Sequence, residues 1–184
     1  RAFAAFLMAL EEPAQRQPFQ ELVPLMLQTI ADALAANAED ECRDAPEVFV
    51  EIAETQTKFL RRNIQDRVTG MLSIASNAAL DESLRHLALE FLLTVAENAP
   101  STARKLPNFT TSTVQVALTM MLDVQCDTPE EIEEWENEDE DEDDTDVTNY
   151  DVGEEALDRV AIAIGGKMMV PILFERIQEL IKSG

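Results

Sequence analysis

Ile52-Ala53-Glu54, followed by Arg61-Arg62, recurs in this chain as Val95-Ala96-Glu97, followed by Arg104-Lys105. Both parts of the pattern are displaced by 43 positions. A repeat of this length is typical of a unit of two helices, and one such unit cannot bury its apolar faces alone. Successive units therefore stack on one another. The repeat predicts an all-α solenoid of antiparallel helix pairs.

Apolar residues recur at helical spacing through most of the chain, without a credible alternating strand pattern. The predicted helices cover about residues 21–38, 44–60, 62–78, a segment from the N-cap Asp81 to just before Pro100, 110–124, 153–165 and 168–182. The residues expected to face the core are Leu22, Leu25, Met26, Ile30, Ala33 and Leu34 in the first helix, Val48, Ile52 and Phe59 in the second, Ile64, Val68, Met71, Leu72 and Ala75 in the third, Leu84, Leu87, Ala88, Phe91, Leu92 and Val95 in the fourth, and Val114, Ala117, Leu118, Met121 and Leu122 in the fifth. Pairs of this length are of the HEAT type.

An acidic segment interrupts the helical pattern between Asp127 and Asp151 and holds 15 carboxylates without a basic residue. Such a run repels itself and buries no apolar area, so we expect a solvated, disordered loop. Glu97 and Gly166 are 69 positions apart, 26 more than the repeat. That excess is close to the length of the acidic segment. The segment is therefore predicted to be an insertion between the two helices of one repeat.

Two dipeptides look like parts of the second helices of such units. They are Leu84-Arg85 and Asp158-Arg159, each followed shortly by an alanine, Ala88 or Ala161. In this position, an arginine at the edge of the core is expected to pair with an aspartate of a neighbouring repeat.

The charge balance points to basic partners. The chain has 14 Lys and Arg against 37 Asp and Glu, a net charge of −23. Binding to nucleic acid normally requires a basic surface, so nucleic acid is not an expected partner. The apolar start, residues 2–10, is too short to span a bilayer. We expect it to be the end of a core helix in a piece of a longer chain, without membrane insertion.

Cysteine and histidine give no sign of catalysis or of a metal site. Cys42 and Cys126 match no metal or redox spacing and are expected to be reduced thiols. His86 is the only histidine, so neither a histidine dyad nor a multi-histidine metal site is available, and it is expected at the surface or at an edge. No catalytic residue is assigned, and the chain is not expected to be an enzyme.

Two further motifs resemble ligand sites only in part. A calcium loop starting at Asp139 would have Asp144 where glycine is needed and Tyr150 where glutamate is needed. The run 165–167 (Gly-Gly-Lys) lacks the first glycine of a phosphate loop, and Met168 replaces its Ser or Thr. The two glycines are better explained as the turn between the last two helices. No cofactor and no metal are predicted.

Several of these features together resemble a known family. They are the order of the helix pairs, the acidic insertion with a tryptophan (Glu133-Glu134-Trp135-Glu136), and Gly153-Glu154-Glu155-Ala156-Leu157-Asp158-Arg159 leading to Gly165-Gly166-Lys167. The chain resembles importin-beta (karyopherin-beta) nuclear transport receptors of the importin beta-3 type. The resemblance covers essentially all of residues 1–184 and implies an internal portion of a long HEAT-repeat superhelix.

The resemblance also implies partners and a location. In receptors of this family, an acidic loop at this place contacts the GTPase Ran and takes part in cargo binding and release. The residues expected to contact partners are Glu133, Glu134, Trp135, Glu136, Glu138, Asp139, Glu140, Asp141, Glu142, Asp143 and Asp144. Further implied partners are basic proteins with nuclear localisation signals, and phenylalanine-glycine nucleoporins in grooves between outer helices, for example those at 21–38 and 63–77. The implied location is the cytoplasm, the nucleus and the nuclear pore.

Two other functions remain open at this point. One is a HEAT scaffold subunit of a phosphatase-like complex, which shares the periodicity but does not need the acidic segment. The other is an acidic chaperone of histones or ribosomal proteins, which uses the same charge without a transport cycle. Trp135 is likewise either an exposed anchor for a partner or a residue that packs back onto the solenoid.

Overall fold

The computed structural model describes residues 2–36, 38, 44–123 and 147–183. All regular structure in these ranges is helical, which confirms the all-α prediction. The α-helices are α1 (Ala2–Ala9), α2 (Pro13–Arg16), α3 (Leu22–Ala35), α4 (Asp44–Gln56), α5 (Ile64–Ala75), α6 (Glu82–Asn98), α7 (Pro100–Ala103), α8 (Phe109–Met121), α9 (Asn149–Ile164) and α10 (Gly166–Ser183), and 3₁₀ helices cover Gln17–Glu21 and Thr57–Arg61. Within those ranges, no helix has the length and apolarity needed to cross a membrane.

The helices form two layers of stacked pairs. α5 packs against α6, and α8 packs against α9. α4, α6 and α9 follow one another in one layer, while α5, α8 and α10 follow one another in the other. The acidic segment lies in the chain between α8 and α9. Because these two helices pack on each other, the prediction that the segment is inserted within one repeat is confirmed.

Helix α6 is at the centre of the core. It begins after Asp81, whose side chain accepts a hydrogen bond from the Ser83 amide at 3.1 Å, as predicted for an N-cap. Phe91 on α6 meets Phe49 on α4 edge to face, with the ring centroids 6.1 Å apart. The buried residues of α6 are Leu84, Arg85, Ala88, Leu89, Phe91, Leu92, Leu93, Thr94, Val95 and Ala96. Leu84, Ala88, Phe91, Leu92 and Val95 were predicted to be in the core, whereas the predicted Leu87 is only half-buried.

Two details of the predicted core are wrong. In α3 the fully buried residues are Val23 and Ile30, while Leu22 and Leu25 are 42% and 63% exposed. At 100° per residue, Leu25 lies about 140° around the helix from Ile30, so the two cannot share a buried stripe. Leu122 is 62% exposed because α8 ends at Met121 and Leu122 is its C-cap residue.

The predicted start of the sixth helix, residue 153, is also wrong. α9 begins at Asn149, so 149–151, predicted to belong to the loop, are helical. The cause is a capping box: the Thr148 hydroxyl accepts a hydrogen bond from the Asp151 amide at 3.2 Å, and the Thr148 amide donates to Asp151 Oδ2 at 2.9 Å. The remaining predicted loop residues from 127 to 146 lie outside the described residues.

Shorter differences occur at other helix ends. The helix predicted over 44–60 ends as α at Gln56 and continues as the 3₁₀ helix Thr57–Arg61. The predicted turn between the last two helices is confirmed, because Gly165 has a φ of 90° between α9 and α10. This backbone conformation favours glycine, since a Cβ atom is strained there.

Candidate partner-binding site

The two ends of the described chain that flank the acidic segment meet at one buried amide. Asn149, 5% exposed, donates from Nδ2 to Asp123 Oδ2 at 2.8 Å and to Glu82 Oε1 at 2.9 Å. Its Oδ1 lies 2.6 Å from His86 Nε2. Because both amide hydrogens go to carboxylates, Oδ1 is the acceptor and His86 Nε2 carries the proton.

Arg85 adds a buried cation to this contact. Its side chain is 4% exposed, and its Nη1 lies 3.8 Å from Asp123 Oδ2. The predicted pairing of Arg85 with an aspartate of a neighbouring repeat is therefore confirmed. His86 is half-buried, as expected for an edge residue. We call Glu82, Arg85, His86, Asp123 and Asn149 the attachment cluster.

The attachment cluster fixes where the acidic segment leaves and re-enters the fold. Asp123 follows α8, and Asn149 is the first residue of α9. Both are held against the first turns of α6 by Glu82, Arg85 and His86. Hydrogen bonds to charged groups typically contribute about 1.5–3 kcal/mol each to stability, so the attachment cluster stabilises the contact of both attachment points with α6.

An open cleft of about 440 Å³ lies beside this cluster, and we call it the acidic groove. Its residues come from α4, α6 and α9, which form one layer of the solenoid. Among the described residues, its carboxylates are Glu47, Glu90 and Glu155, and its cation is Arg159. Its remaining lining residues are Ser83, His86, Leu87, Leu89, Leu93 and Val152. A basic side chain with an apolar stem is the chemistry that fits such a lining.

Arg159 organises the carboxylates of this region. Its Nη1 and Nη2 lie 2.7 and 2.8 Å from the two oxygens of Glu90, and its Nε and Nη2 lie 2.7 and 3.0 Å from the two oxygens of Glu97. Glu155 Oε1 is 3.3 Å from Nη1. All five guanidinium hydrogens therefore have a carboxylate acceptor. The predicted pairing with an aspartate is wrong here, because the longer glutamates of α6 reach Arg159 instead.

This network changes the acidity of its members. The hydrogen bond from Arg159 lowers the pKa of Glu97, against the smaller opposing effect of burial. The hydrogen bonds to Glu97 and then to Glu90 raise the pKa of Arg159 further above its ordinary range. Three carboxylates and one guanidinium leave the network negative, so it still attracts a cation. Within the described ranges, no three His, Cys, Asp or Glu side chains form a metal site.

Comparison with known proteins identifies the family. Residues 77–171, more than half of the chain, match a family model described as an importin repeat. The chain belongs to the importin repeat family. Residues 1–70 of this importin-repeat chain match a second model, described as IPO5-like, TPR repeats. The resemblance to importin-beta receptors inferred from the sequence is confirmed.

Individual importin relatives agree with this assignment. The chain is 30% identical over 162 residues to importin subunit beta-3 of Saccharomyces cerevisiae, covering 88% of this chain and 15% of that protein. It is 27% identical over 93 residues to a probable importin-5 homolog of Dictyostelium discoideum, covering 50% of this chain and 9% of that protein. The chain thus spans a small part of the length of the curated relatives that it matches.

The fold is shared with a solved karyopherin. The crystal structure of the karyopherin Kap121p bound to the SUMO protease Ulp1p superposes on 98% of this importin-repeat chain and on 17% of its own chain. The TM-score is 0.86 and the sequence identity is 28%. The prediction of a HEAT-repeat solenoid is confirmed by this likeness.

The predicted contact residues are different residues from those that line the acidic groove. The predicted residues, from Glu133 to Asp144, all lie outside the described part of the importin-repeat chain and stay a prediction. Sequence reasoning missed the acidic groove, although a signal was available. Glu47 and Glu90 are 43 positions apart, the same displacement as the helix repeat, so the repeat places both on equivalent positions of neighbouring helices.

Proposed function

We propose that this chain is part of a nuclear import receptor that binds basic protein cargo and the GTPase Ran. Membership in the importin repeat family supports a role in nuclear transport. The observation that carries the finer proposal is the position of the attachment cluster. It places both ends of a segment with 15 carboxylates beside the acidic groove, so two negative elements act on one partner.

The physical role of the acidic segment is attraction and retention. Clustered carboxylates raise the rate of encounter with a basic surface, over a Debye length of about 8 Å at physiological salt. One exposed ion pair contributes only roughly 0–1 kcal/mol, so many charges must act together. The residues from Glu133 to Asp144 would provide this number, with Trp135 as an aromatic anchor.

The acidic groove would provide selectivity for part of the cargo. Glu155 is the most accessible carboxylate of the Arg159 network, with 68% of its side chain exposed. A lysine or arginine of the cargo could pair with it while its methylene stem lies along Leu87 and Val152. Kap121p has been crystallised with Ulp1p, with Pho4p and with the extreme C-terminus of the phosphatase Cdc14p, which supports protein ligands for the family.

The surface between α3 and α5 is proposed to bind phenylalanine-glycine nucleoporins. Leu27 on α3 comes close to Gly70 on α5, so the two helices approach each other at this point. Leu22 and Leu25 on α3 are exposed apolar side chains, which suit a phenylalanine ligand. With such contacts the intact receptor would move between the cytoplasm and the nucleus through the nuclear pore.

Capture of Ran tests this proposal against a scaffold subunit and against an acidic chaperone. The immobilised chain is incubated with Ran loaded with GTP or with GDP, in parallel. A transport receptor segment retains Ran-GTP and much less Ran-GDP. Equal retention of the two forms, or retention of neither, contradicts the proposed role in Ran binding.

A further inference from the structure

Basic residues in this acidic chain are concentrated in one kind of segment. They follow the helices of the layer that contains α4, α6 and α9, where the chain crosses to the other layer. The basic residues in these crossings, in the corresponding stretch after α1 and in the first turn of α10 are Arg16, Lys58, Arg61, Arg62, Arg104, Lys105 and Lys167. These seven are half of the 14 basic residues of the chain. The acidic segment lies instead where the chain crosses back in the other direction, between α8 and α9.

Two of these arginines are used to hold helix ends. Arg104 donates from Nε to the Ile164 carbonyl and from Nη2 to the Ala163 carbonyl, each at 2.9 Å, and so caps the end of α9. Arg16 donates from Nε to the Leu7 carbonyl at 3.0 Å, after α1. Its Nη1 donates to Gln56 Oε1 at 2.7 Å, at the end of α4. Both guanidinium groups are thus bonded to acceptors of the fold.

Arg61 differs from these two, although it precedes Arg104 by the repeat distance of 43 positions. Arg61 and Lys58 both line an open cleft of about 800 Å³ between the start of the chain and the ends of α4 and α6. Both side chains are exposed, and neither has a hydrogen bond or an ion pair with any residue that the structure describes. Two cations at the mouth of this cleft therefore have no partner among the described residues.

Capping of helix ends does not account for Lys58 and Arg61. The Thr57 hydroxyl already satisfies the Ala53 carbonyl at the end of α4, at 2.6 Å. At the end of α6, Asn98 Nδ2 donates to the Thr94 carbonyl at 3.1 Å. Cations near a helix C-terminus gain some energy from its dipole, but this field is weak at exposed positions and extends only over the last turn.

The lining of the cleft indicates its ligand. Among the residues that the structure describes, it includes no carboxylate, in a chain with 37 of them. The side chains of Gln17, Gln20 and Gln56 add amides, and Phe59 and Ala99 add apolar surface. Guanidinium and ammonium groups bind carboxylates, and amides pair with a peptide backbone. We infer that this cleft is a binding site for an acidic peptide segment of another protein, separate from the acidic groove.

A nucleic acid is a poorer fit for the same cleft. Binding a phosphate backbone requires a basic footprint along several phosphates. Here only two cations have no partner within the described part of the chain, and the whole chain carries a net charge of −23. A short peptide with two or three carboxylates matches both the number of cations and the volume.

Binding is measured by fluorescence anisotropy with labelled hexapeptides that contain alternating Glu and Gly, and with the same peptides in which Gln replaces Glu. The Glu peptide binds the 184-residue chain, and the Gln peptide binds at least fivefold more weakly. In the double variant K58Q/R61Q the affinity for the Glu peptide falls roughly five- to tenfold. Circular dichroism on each variant verifies that the helices are retained.

The matched control is the double variant R62Q/K105Q, which removes the same charge from the same edge at exposed residues outside the cleft. It changes the affinity by less than about twofold. Equal losses in the two double variants would mean diffuse attraction and would overturn the site. Failure of the Glu peptide to bind the wild type overturns it too. If inorganic phosphate displaces the bound Glu peptide at a concentration equal to that of the peptide, the cleft is a site for a simple anion, and the inference is contradicted.

Discussion

Asn149 and Asp123 are joined by a hydrogen bond of 2.8 Å, although 26 positions separate them in the chain. The bond closes the base of the acidic segment, because Asp123 follows α8 and Asn149 begins α9. His86 and Glu82 on α6 form the other hydrogen bonds of the Asn149 side-chain amide. The fold therefore fixes both attachment points of its most charged segment on one central helix.

Replacing Asn149 by Ala is expected to lower the free energy of unfolding by about 1–3 kcal/mol, since buried partners lose their hydrogen bonds. Urea denaturation followed by circular dichroism measures this change. Thr119→Ala is the control, because the exposed Thr119 bonds only to Gln115 of its own helix, and it should cost less than about 0.5 kcal/mol. Equal midpoints for wild type and N149A contradict a stabilising role for the attachment cluster.

Gly153 is expected to be required for the contact between α9 and α8. A Cβ atom built there would lie 2.5 Å from the Ala117 carbonyl oxygen and 2.7 Å from Met121 Cγ. Helix propensity favours alanine over glycine by about 1 kcal/mol, but backbone atoms leave no room for the methyl group. Gly153→Ala should therefore lower the unfolding free energy by about 1–3 kcal/mol.

The matched control for Gly153 is Gly166→Ala in the first turn of α10. No heavy atom lies within 4 Å of a Cβ atom built at Gly166. This change should be neutral or should stabilise the protein by up to about 1 kcal/mol. If both glycine variants shift the thermal or urea midpoint in the same direction, the steric explanation for Gly153 is wrong.

The Arg159 network predicts a pH dependence of stability. The pKa of Glu97 lies below its ordinary value of 4.5 in the folded state, because Arg159 hydrogen-bonds the ionised form. The contribution of ionised Glu97 to the free energy of unfolding is therefore complete above its pKa in the unfolded state. It is lost as the pH falls through its lower pKa in the folded state. Arg159→Gln should destabilise the protein by roughly 1–2 kcal/mol at pH 7, and the difference from wild type should shrink below about pH 4.

Arg176→Gln is the control for this pH dependence. Arg176 pairs with Glu179 of its own helix at 2.6 Å, and Glu179 is half exposed. Its loss should change stability by less than about 0.5 kcal/mol. Urea titrations of the three proteins between about pH 3 and pH 8 give the comparison. A destabilisation by Arg159→Gln that stays constant down to pH 3 contradicts the assigned cause of the Glu97 shift.

Two neighbouring glutamates test the acidic groove. Glu155 lines the groove, whereas the exposed Glu154 does not. Glu155→Gln should weaken binding of a lysine-rich peptide about two- to fivefold, because one groove carboxylate is lost. Glu154→Gln removes the same charge and should leave the affinity within about twofold. Identical effects in isothermal titration calorimetry would assign the attraction to overall charge and not to the groove.

Much of the fold could be predicted from local signals. The recurrence of Ile52-Ala53-Glu54 after 43 residues predicted the helix pairs, and Asp81 predicted the start of α6. The prediction that Leu25 of α3 faces the core was wrong, because leucine is a strong apolar signal even at a helix position that faces solvent. The early start of α9 was missed because Thr148 and Asp151 lie among acids that indicate a loop.

The sites were harder to predict, because their residues meet only through tertiary packing. Arg159 contacts Glu90 across 69 positions, and a local pattern does not show such a pair. Asn149 follows an acidic run, and its nearest apolar neighbours in sequence are Val147 and Tyr150. This sequence context does not predict burial, yet Asn149 is buried. The net charge, by contrast, needs no geometry, which is why basic partners could be proposed from the sequence alone.

The most direct measurement of the central claim is the salt dependence of partner binding by the acidic segment. The residues from Glu138 to Asp144 are changed to their amides, and the affinities for Ran-GTP and for a basic cargo peptide are titrated against salt concentration. We expect weaker binding and a shallower slope of log affinity against log salt, because fewer charge pairs form. Slopes and affinities equal to those of the wild type would contradict the claim that these carboxylates bind partners.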